Sequence, residues 1–138
     1  MTKASARNMF IGSTAVVSAI LLVLTYLSHV SYPERTHPEN ITAEVEWGKK
    51  VWEKHACIDC HTLSGEGAYY APELANVIAR RGEEYVRTVL ATTAVQGWGG
   101  VRKMPQFDLY REDINGLMEF FKWMGRIDTN NWPPNKEG

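Results

Sequence analysis

Apolar residues dominate the beginning of the chain. Residues 8–33 contain no Lys, Arg, Asp or Glu, and residues 9–27 are almost all apolar or small. As a helix, residues 9–27 rise roughly 28 Å, close to the thickness of about 30 Å of the hydrocarbon core of a membrane. The pattern therefore predicts a membrane-spanning helix over residues 9–30, preceded by a short segment, residues 1–8.

A cleaved secretory signal is the alternative to a permanent anchor. Such a signal has a shorter apolar core of about 7–15 residues and ends in an Ala-x-Ala-like cleavage site. Residues 28–33 contain no such site, which favours an uncleaved anchor. Lys3 and Arg7 carry the only charged side chains before Glu34, and basic flanks stay on the cytoplasmic side. We therefore expect a cytoplasmic N-terminus and residues 31–138 outside the cytoplasm.

Beyond the anchor, the hydrophobic pattern changes to that of a soluble helical domain. Residues 31–41 are polar and contain two prolines, which is typical of a semi-rigid linker. In residues 42–138, apolar positions recur at helical spacing and no stretch alternates convincingly as a strand would. We predict an all-α fold, with helices over residues 42–55, 73–79, 83–92 and 111–124.

The last of these helices has the clearest pattern. Its apolar residues recur at spacings of three and four, as one buried helix face requires. These residues are Ile114, Leu117, Met118, Phe121 and Met124. The Pro-rich tail that follows, residues 130–134, is predicted to be extended.

Composition adds little about partners. The formal net charge is −1, which predicts no nucleic-acid partner. Because Lys3 and Arg7 lie before the anchor, residues 31–138 carry 13 basic and 16 acidic side chains. The part outside the cytoplasm is therefore mildly acidic.

The two cysteines of the chain lie three positions apart and are followed directly by a histidine. In this Cys-x-x-Cys-His pattern, the thiols of Cys57 and Cys60 reach the two vinyl groups of one haem, and His61 reaches the iron. The signature is specific for attachment of c-type haem. Such attachment takes place outside the bacterial cytoplasm, in agreement with the predicted topology.

Three other interpretations of this motif remain. A thioredoxin-like redox pair requires a βαβ context, whereas the flanks here are helical and loop-like. A zinc site would recruit His55, Cys57, Cys60 and His61, but adjacent residues are awkward tetrahedral ligands and a distant second ligand pair is missing. A chance match is the third.

An electron-transferring haem of this kind needs a second axial ligand, and a Met paired with His raises the reduction potential. Met104 is the candidate, because it lies in a loop C-terminal to the haem motif and precedes Pro105. Met118 and Met124 lie on the apolar face of a helix, where core packing is the better interpretation. With His61 and Met104 both on the iron, no position is left for a substrate, so the chain is predicted to carry electrons.

Two further patterns resemble the class I cytochromes c. Residues 71–74, Ala-Pro-Glu-Leu, are similar to the Gly-Pro-x-Leu segment of that family, with Ala in place of Gly. The resemblance implies that the Pro72 carbonyl accepts the ring N–H of His61, with a plain turn proline as the alternative. Gly48 and Trp52 match the Gly-x-x-x-aromatic pattern by which the family crosses its first and last helices. The spacing from Trp52 to Cys57 is one residue longer than usual.

The whole chain resembles the small cytochrome c subunit of bacterial nitric oxide reductase. The run Gly-Ala-Tyr-Tyr-Ala-Pro-Glu-Leu over residues 67–74 is the most specific feature, and it is far more specific than the haem motif. The one-helix anchor supports the resemblance, as do Trp47-Gly48, Arg80-Arg81-Gly82, Gln96-Gly97-Trp98, Met104-Pro105 and Trp132-Pro133-Pro134.

The resemblance implies an electron-transfer subunit in a bacterial inner membrane. Its partner would be a large membrane subunit with b-type haems and a non-haem iron, which reduces two NO to N2O. Its donor would be a soluble periplasmic cytochrome c or cupredoxin. A calcium ion at the subunit interface is also implied, with Gly67 and Tyr69 as candidate contacts. The alternatives are a mono-haem subunit of a cytochrome oxidase, a free-standing anchored cytochrome, and a haem-based gas sensor.

Overall fold

The computed structural model describes residues 2–133. The chain divides into two compact units, one up to Arg35 and one from Thr36 onward. The tail that was predicted to be extended includes Pro134, which lies outside the described residues.

The first unit consists of helix α1, Lys3–Thr36. It is long and apolar enough to cross a membrane, and it buries none of its apolar window within the protein. The helix runs past residue 30, through the start of the expected linker, and contains Pro33. A proline costs a helix one backbone hydrogen bond, and only one turn of α1 follows it.

Within the described residues, the second unit contains four further α-helices joined by loops, in agreement with the predicted all-α class. They are α2 (Ala43–Lys54), α3 (Val77–Arg81), α4 (Glu83–Thr93) and α5 (Arg111–Met124). Short 3-10 helices cover Pro38–Asn40 and Cys57–Asp59. A two-stranded antiparallel hairpin, β1 (Thr62–Leu63) and β2 (Glu66–Gly67), pairs Thr62 with Gly67 and Leu63 with Glu66.

Helices α2 and α5 cross in close contact, because each has a glycine at the crossing. A Cβ atom on Gly48 would lie 2.0 Å from the Gly116 carbonyl oxygen, and one on Gly116 would lie 2.8 Å from Trp47 Cδ1. Only glycines allow the two backbones to approach this closely. The sequence indicated Gly48 but not its partner Gly116.

The buried carboxylate of Asp113 joins the same two helices. Its Oδ1 accepts a hydrogen bond from Trp47 Nε1 at 3.1 Å, and its Oδ2 accepts one from the Tyr110 backbone N–H at 2.9 Å. The second bond caps the N-terminus of α5, where the N–H groups have no partner within the helix. Asp113 is 4% exposed, so both bonds form away from solvent.

The core of the second unit is continuous from α2 through α4 to α5. Met118 is fully buried at its centre, and Trp52 packs edge-on against Phe121 with 6.0 Å between ring centroids. The remaining buried apolar members are Val45, Val51, Val77, Val86, Leu90, Ile114, Leu117 and Phe120.

Two segments differ from the sequence-based expectation. Residues 73–76 are not helical, because the Glu73 side chain accepts hydrogen bonds from backbone N–H groups of the loop, and α3 begins only at Val77. The tail also turns rather than extends. Asn130 and Asn131 have φ of 55° and 62°, and the Trp132 N–H donates to the Thr129 carbonyl at 3.2 Å.

Candidate functional site

The Cys-x-x-Cys-His segment forms one tight turn directly after α2. The N–H groups of Cys60 and His61 both donate to the Cys57 carbonyl, at 3.2 and 2.9 Å. Ala56, directly before the motif, has a left-handed backbone with φ of 48°. The turn therefore brings both thiols and the imidazole close together.

The segment after the hairpin folds back along the motif. The N–H groups of Ala68, Ala71 and Leu74 donate to the carbonyls of Ile58, Cys60 and Thr62, at 3.0, 2.8 and 2.9 Å. These three bonds hold residues 68–74 beside residues 58–62. The return segment thereby places Pro72 next to the ring of His61.

His61 Nδ1 lies 2.8 Å from the Pro72 carbonyl oxygen. Because a carbonyl only accepts hydrogen bonds, Nδ1 carries the proton and Nε2 keeps its lone pair. Burial lowers the pKa of His61, and the bond to Pro72 and the charge of Glu73 oppose that effect only in part. The ring is therefore a neutral imidazole with a free Nε2, which is the form that binds a metal.

The Glu73 carboxylate holds both ends of this loop. It accepts backbone hydrogen bonds from Ser64 at 2.9 Å, Gly65 at 3.2 Å and Ala75 at 2.8 Å. The Arg80 guanidinium donates to the Glu73 carbonyl. Pro72 thus lies in a segment that is fixed on both sides, and nothing in the sequence pattern signalled this role of Glu73.

The loop that carries Met104 closes on itself. Trp98 and Met104 exchange both backbone hydrogen bonds, at 3.0 and 2.8 Å. Gly97 has φ of 78°, and a Cβ atom there would lie 2.8 Å from the Met104 carbonyl oxygen. The glycines of this loop therefore allow a compact turn with Met104 at its end.

The motif, the return segment and the Met104 loop surround one cavity of about 520 Å³. This volume is typical of pockets for cofactors and small ligands, which span about 300–1,000 Å³. An apolar recess of about 90 Å³ adjoins it and shares Cys57, His61 and Met104 with it. Other lining residues are Tyr70, Pro72, Tyr85, Val89, Trp98, Arg102, Lys103 and Phe107.

This lining fits a haem that is bound through two cysteines. Burial, with a contribution from nearby Cys60, raises the pKa of the Cys57 thiol to about 11. The protonated thiol of Cys57 is therefore favoured in the chain before a group is bound. Within residues 2–133, no three His, Cys, Asp or Glu side chains are grouped so that they would hold a metal ion. The zinc interpretation of the motif therefore has no structural support.

Gly67 and Tyr69 lie beside the motif in the hairpin and return segment. Gly67 has φ of 121°, and a Cβ atom there would lie 2.3 Å from the His61 carbonyl oxygen. Tyr69 is 77% exposed and its hydroxyl donates to the Gly65 carbonyl at 3.1 Å. Gly67 thus has a structural role against the haem motif, and Tyr69 presents a ring to solvent.

Comparison with known proteins gives a consistent result over the whole chain. Residues 45–125 match the cytochrome c family. The chain is 48% identical to the C subunit of nitric oxide reductase from Stutzerimonas stutzeri, covering 99% of this chain and 97% of the relative. It is 44% and 39% identical to the proteins of the same name from Paracoccus denitrificans and Halomonas halodenitrificans, covering 100% of this chain and 97% of each.

Proposed function

The chain belongs to the cytochrome c family and to the nitric oxide reductase C subunits, and from this premise we propose how it works. It is an electron-transfer subunit of an oxidoreductase complex whose catalytic site lies in another subunit. It accepts electrons from a soluble periplasmic cytochrome c or cupredoxin and passes them to a membrane subunit with b-type haems and a non-haem iron. One observation supports this most directly: Cys57, Cys60, His61 and Met104 line the same cavity.

The residues that line the cavity have different roles in holding the haem. Cys57 and Cys60 would form the thioether bonds to a haem, His61 Nε2 would bind its iron, and the Pro72 carbonyl fixes the orientation of the His61 ring. Met104 would be the second ligand to the iron and would leave no position for a substrate. The haem supplies a one-electron couple, so two transfers serve each reaction of two NO and two protons to N2O and water.

In this proposal, the anchor holds the haem at the outer face of the membrane. Lys3 and Arg7 remain in the cytoplasm, residues 9–30 form the core of the span, and residues 42–138 form the periplasmic domain. The absence of charged side chains from residues 8–33 and the continuous helix α1 support the span, and the basic flank of Lys3 and Arg7 supports this orientation.

We also propose that a calcium ion lies at the boundary with the catalytic subunit. Gly67 and Tyr69 are its candidate contacts, through oxygen atoms of the kind that calcium prefers. The Glu73 carboxylate accepts three backbone hydrogen bonds, so further ligands are expected from the partner subunit. Removing calcium with a chelator should then weaken the association of the two subunits.

Isolation of the complex through this chain tests the proposed function. An affinity tag on the C-terminus should retrieve from detergent-solubilised membranes a large subunit that contains b-type haem and non-haem iron. The isolated complex should reduce NO when a reduced soluble cytochrome c is supplied. Retrieval of a copper-containing oxidase, or of this chain alone, would contradict the proposal and favour one of the alternative carriers.

The matched variants Met104→Ala and Met118→Leu test the axial ligand. Met104→Ala should abolish the sulfur-to-iron absorption band at the red end of the ferric spectrum, lower the reduction potential and allow CO to bind. Met118→Leu should keep the band, because Met118 is fully buried in the core. An intact band in Met104→Ala would exclude Met104 as the ligand.

A further inference from the structure

We propose that Arg102 is a positioning residue that holds the Met104 loop closed over the haem and so denies NO access to the iron. This inference rests on the proposed ligation by His61 and Met104. A ferrous haem with an open axial position binds NO, and under the proposed function the haem of this subunit works in a complex that consumes NO. A closed Met104 loop therefore matters more here than in a carrier that never meets NO.

Arg102 makes two contacts with the same residue. Its Nη1 donates to the Tyr70 carbonyl at 3.0 Å, and its guanidinium carbon lies 5.5 Å from the centroid of the Tyr70 ring. A guanidinium is planar and permanently charged, so it can donate in its plane while its face lies over an aromatic ring. One orientation of the Arg102 guanidinium therefore satisfies both contacts with Tyr70.

These contacts join the loop that carries Met104 to the return segment beside His61. Arg102 precedes Met104 by two residues, and Tyr70 precedes Pro72 by two residues. The Ala71 N–H, next to Tyr70, donates to the Cys60 carbonyl at 2.8 Å. Arg102 thus ties the Met104 loop to the segment that orients His61.

The other contacts of the Met104 region lead mainly to α4, and the Phe107 ring also packs edge-on against His55, with 5.5 Å between ring centroids. Trp98 packs edge-on against Tyr85 at the start of α4, with 6.3 Å between ring centroids. The Phe107 N–H donates to the Thr93 carbonyl at the end of α4, at 3.0 Å. Among the residues that the structure describes, no hydrogen bond other than that of Arg102 joins residues 97–105 to residues 56–75. Loss of Arg102 would free one side of the loop while α4 still held the other.

CO titration of the ferrous, haem-loaded full-length chain measures this closure. The apparent dissociation constant for CO equals the intrinsic one divided by the fraction of open loop. Replacing Arg102 by Ala removes a charge-assisted hydrogen bond and a cation–π contact, so the apparent constant should fall about three- to tenfold. The sulfur-to-iron band of the ferric protein should weaken in parallel. Arg102→Lys keeps the charge but not the planar fork, and should lie between wild type and Arg102→Ala.

Two control variants separate this role from general loosening. Arg87→Ala removes a half-buried arginine that does not line the cavity and whose Nη1 donates to Asn115 Oδ1 at 2.7 Å. Tyr70→Phe keeps both the ring and the backbone carbonyl that Arg102 contacts. Both should bind CO as weakly as wild type. An equal gain of CO affinity in Arg87→Ala would overturn the proposal.

The remaining outcomes distinguish the proposal from its premise. Unchanged CO binding and an unchanged sulfur-to-iron band in Arg102→Ala would overturn the positioning role, even if loss of the positive charge shifted the reduction potential. Met104→Ala serves as the reference for a fully open position. If Met104→Ala also failed to bind CO, the proposed ligation itself would be wrong.

Discussion

At the scale of single residues, hydrogen bonds to backbone carbonyls prepare the candidate site. The bond from His61 Nδ1 to the Pro72 carbonyl selects the tautomer in which Nε2 is free. The bond from Arg102 to the Tyr70 carbonyl ties the opposite loop to the same segment. Because the acceptors are backbone atoms, their positions depend on the backbone path of residues 68–74, which the Glu73 carboxylate helps to hold.

Replacement of Gly67 tests the close contact between its backbone and the haem motif. In Gly67→Ala, the new Cβ atom would meet the His61 carbonyl at 2.3 Å, in addition to the strain of φ 121°. Gly82→Ala is the control, because its φ is 81° but nothing lies within 4 Å of a Cβ atom there. We expect Gly82→Ala to lower the free energy of unfolding by about 1–3 kcal/mol, because only glycine readily adopts φ 81° with ψ 156°, and Gly67→Ala to lower it further and to reduce haem attachment. Thermal unfolding and haem content per chain measure both effects, and equal losses in the two variants would contradict the contact with His61.

At the scale of elements, the crossing of α2 and α5 positions the haem motif. The motif begins directly after α2, so the angle and distance of this helix relative to α5 determine where Cys57 lies. Gly48 and Gly116 set that distance, and Asp113 links the helices through Trp47. The crossing is therefore part of the site although none of these residues lines the cavity.

Gly48→Ala should have the opposite effect to the usual one in a helix. Replacing a glycine inside a helix by alanine normally stabilises the helix by about 1 kcal/mol. Here the added Cβ atom would lie 2.0 Å from a backbone oxygen of α5, so we expect a loss of about 3 kcal/mol in the free energy of unfolding. Gly125→Ala is the control, since its closest contact would be an ordinary 3.4 Å. Denaturant unfolding would contradict the crossing if Gly48→Ala were as stable as Gly125→Ala.

The contact between α4 and α5 includes an ion pair that depends on pH. Lys122 Nζ lies 2.9 Å from Glu83 and 3.0 Å from Glu119. Hydrogen bonds to Glu83 and then Glu119 raise the pKa of Lys122 above its ordinary value of 10.5. Because the folded-state pKa is the higher one, the stabilisation is complete below the ordinary value and is lost as the pH rises through the raised value.

Lys122→Met should therefore lower the free energy of unfolding by less than about 1 kcal/mol at neutral pH, as is typical of partly exposed ion pairs. The difference in unfolding free energy between wild type and the variant should disappear at strongly alkaline pH. Lys49→Met is the control, because the Lys49–Glu53 pair lies within α2 and is more exposed. A difference that stayed constant up to alkaline pH would show that the lysine stabilises by packing and not by charge.

At the scale of the whole molecule, the two units have separate physical requirements. The first is a helix whose apolar side chains are not buried by the rest of the protein. It is long and apolar enough to cross a membrane. The second has its own continuous core around Met118. We expect residues 36–138 alone to be soluble after expression with a periplasmic signal.

This shortened chain should carry haem with the same sulfur-to-iron band as the full-length protein. Absorption spectra and thermal unfolding of both forms provide the comparison. An insoluble or haem-free product would show that the domain depends on α1. A soluble product with an altered band would show that the anchor contributes to ligation.

The sequence by itself determined the features that depend on neighbouring residues. The apolar length of the anchor, the haem motif and the bounds of α5 each follow from a local pattern, since helical spacing and the reach of two thiols act within a few residues. The family follows from the specific run over residues 67–74, and the comparisons confirmed it. The all-α class was also confirmed.

Only the tertiary structure decided the features that join distant parts of the chain. Trp47 and Asp113 are 66 positions apart and Arg102 and Tyr70 are 32 apart, so no local pattern reveals these bonds. The helix predicted from residue 73 begins only at Val77 for the same reason. The Glu73 carboxylate accepts a hydrogen bond from the backbone of Ser64, nine positions away, and residues 73–76 are therefore part of the loop. Hydrophobic spacing predicts which face of a helix is buried, but the partner of each polar group depends on how the elements pack.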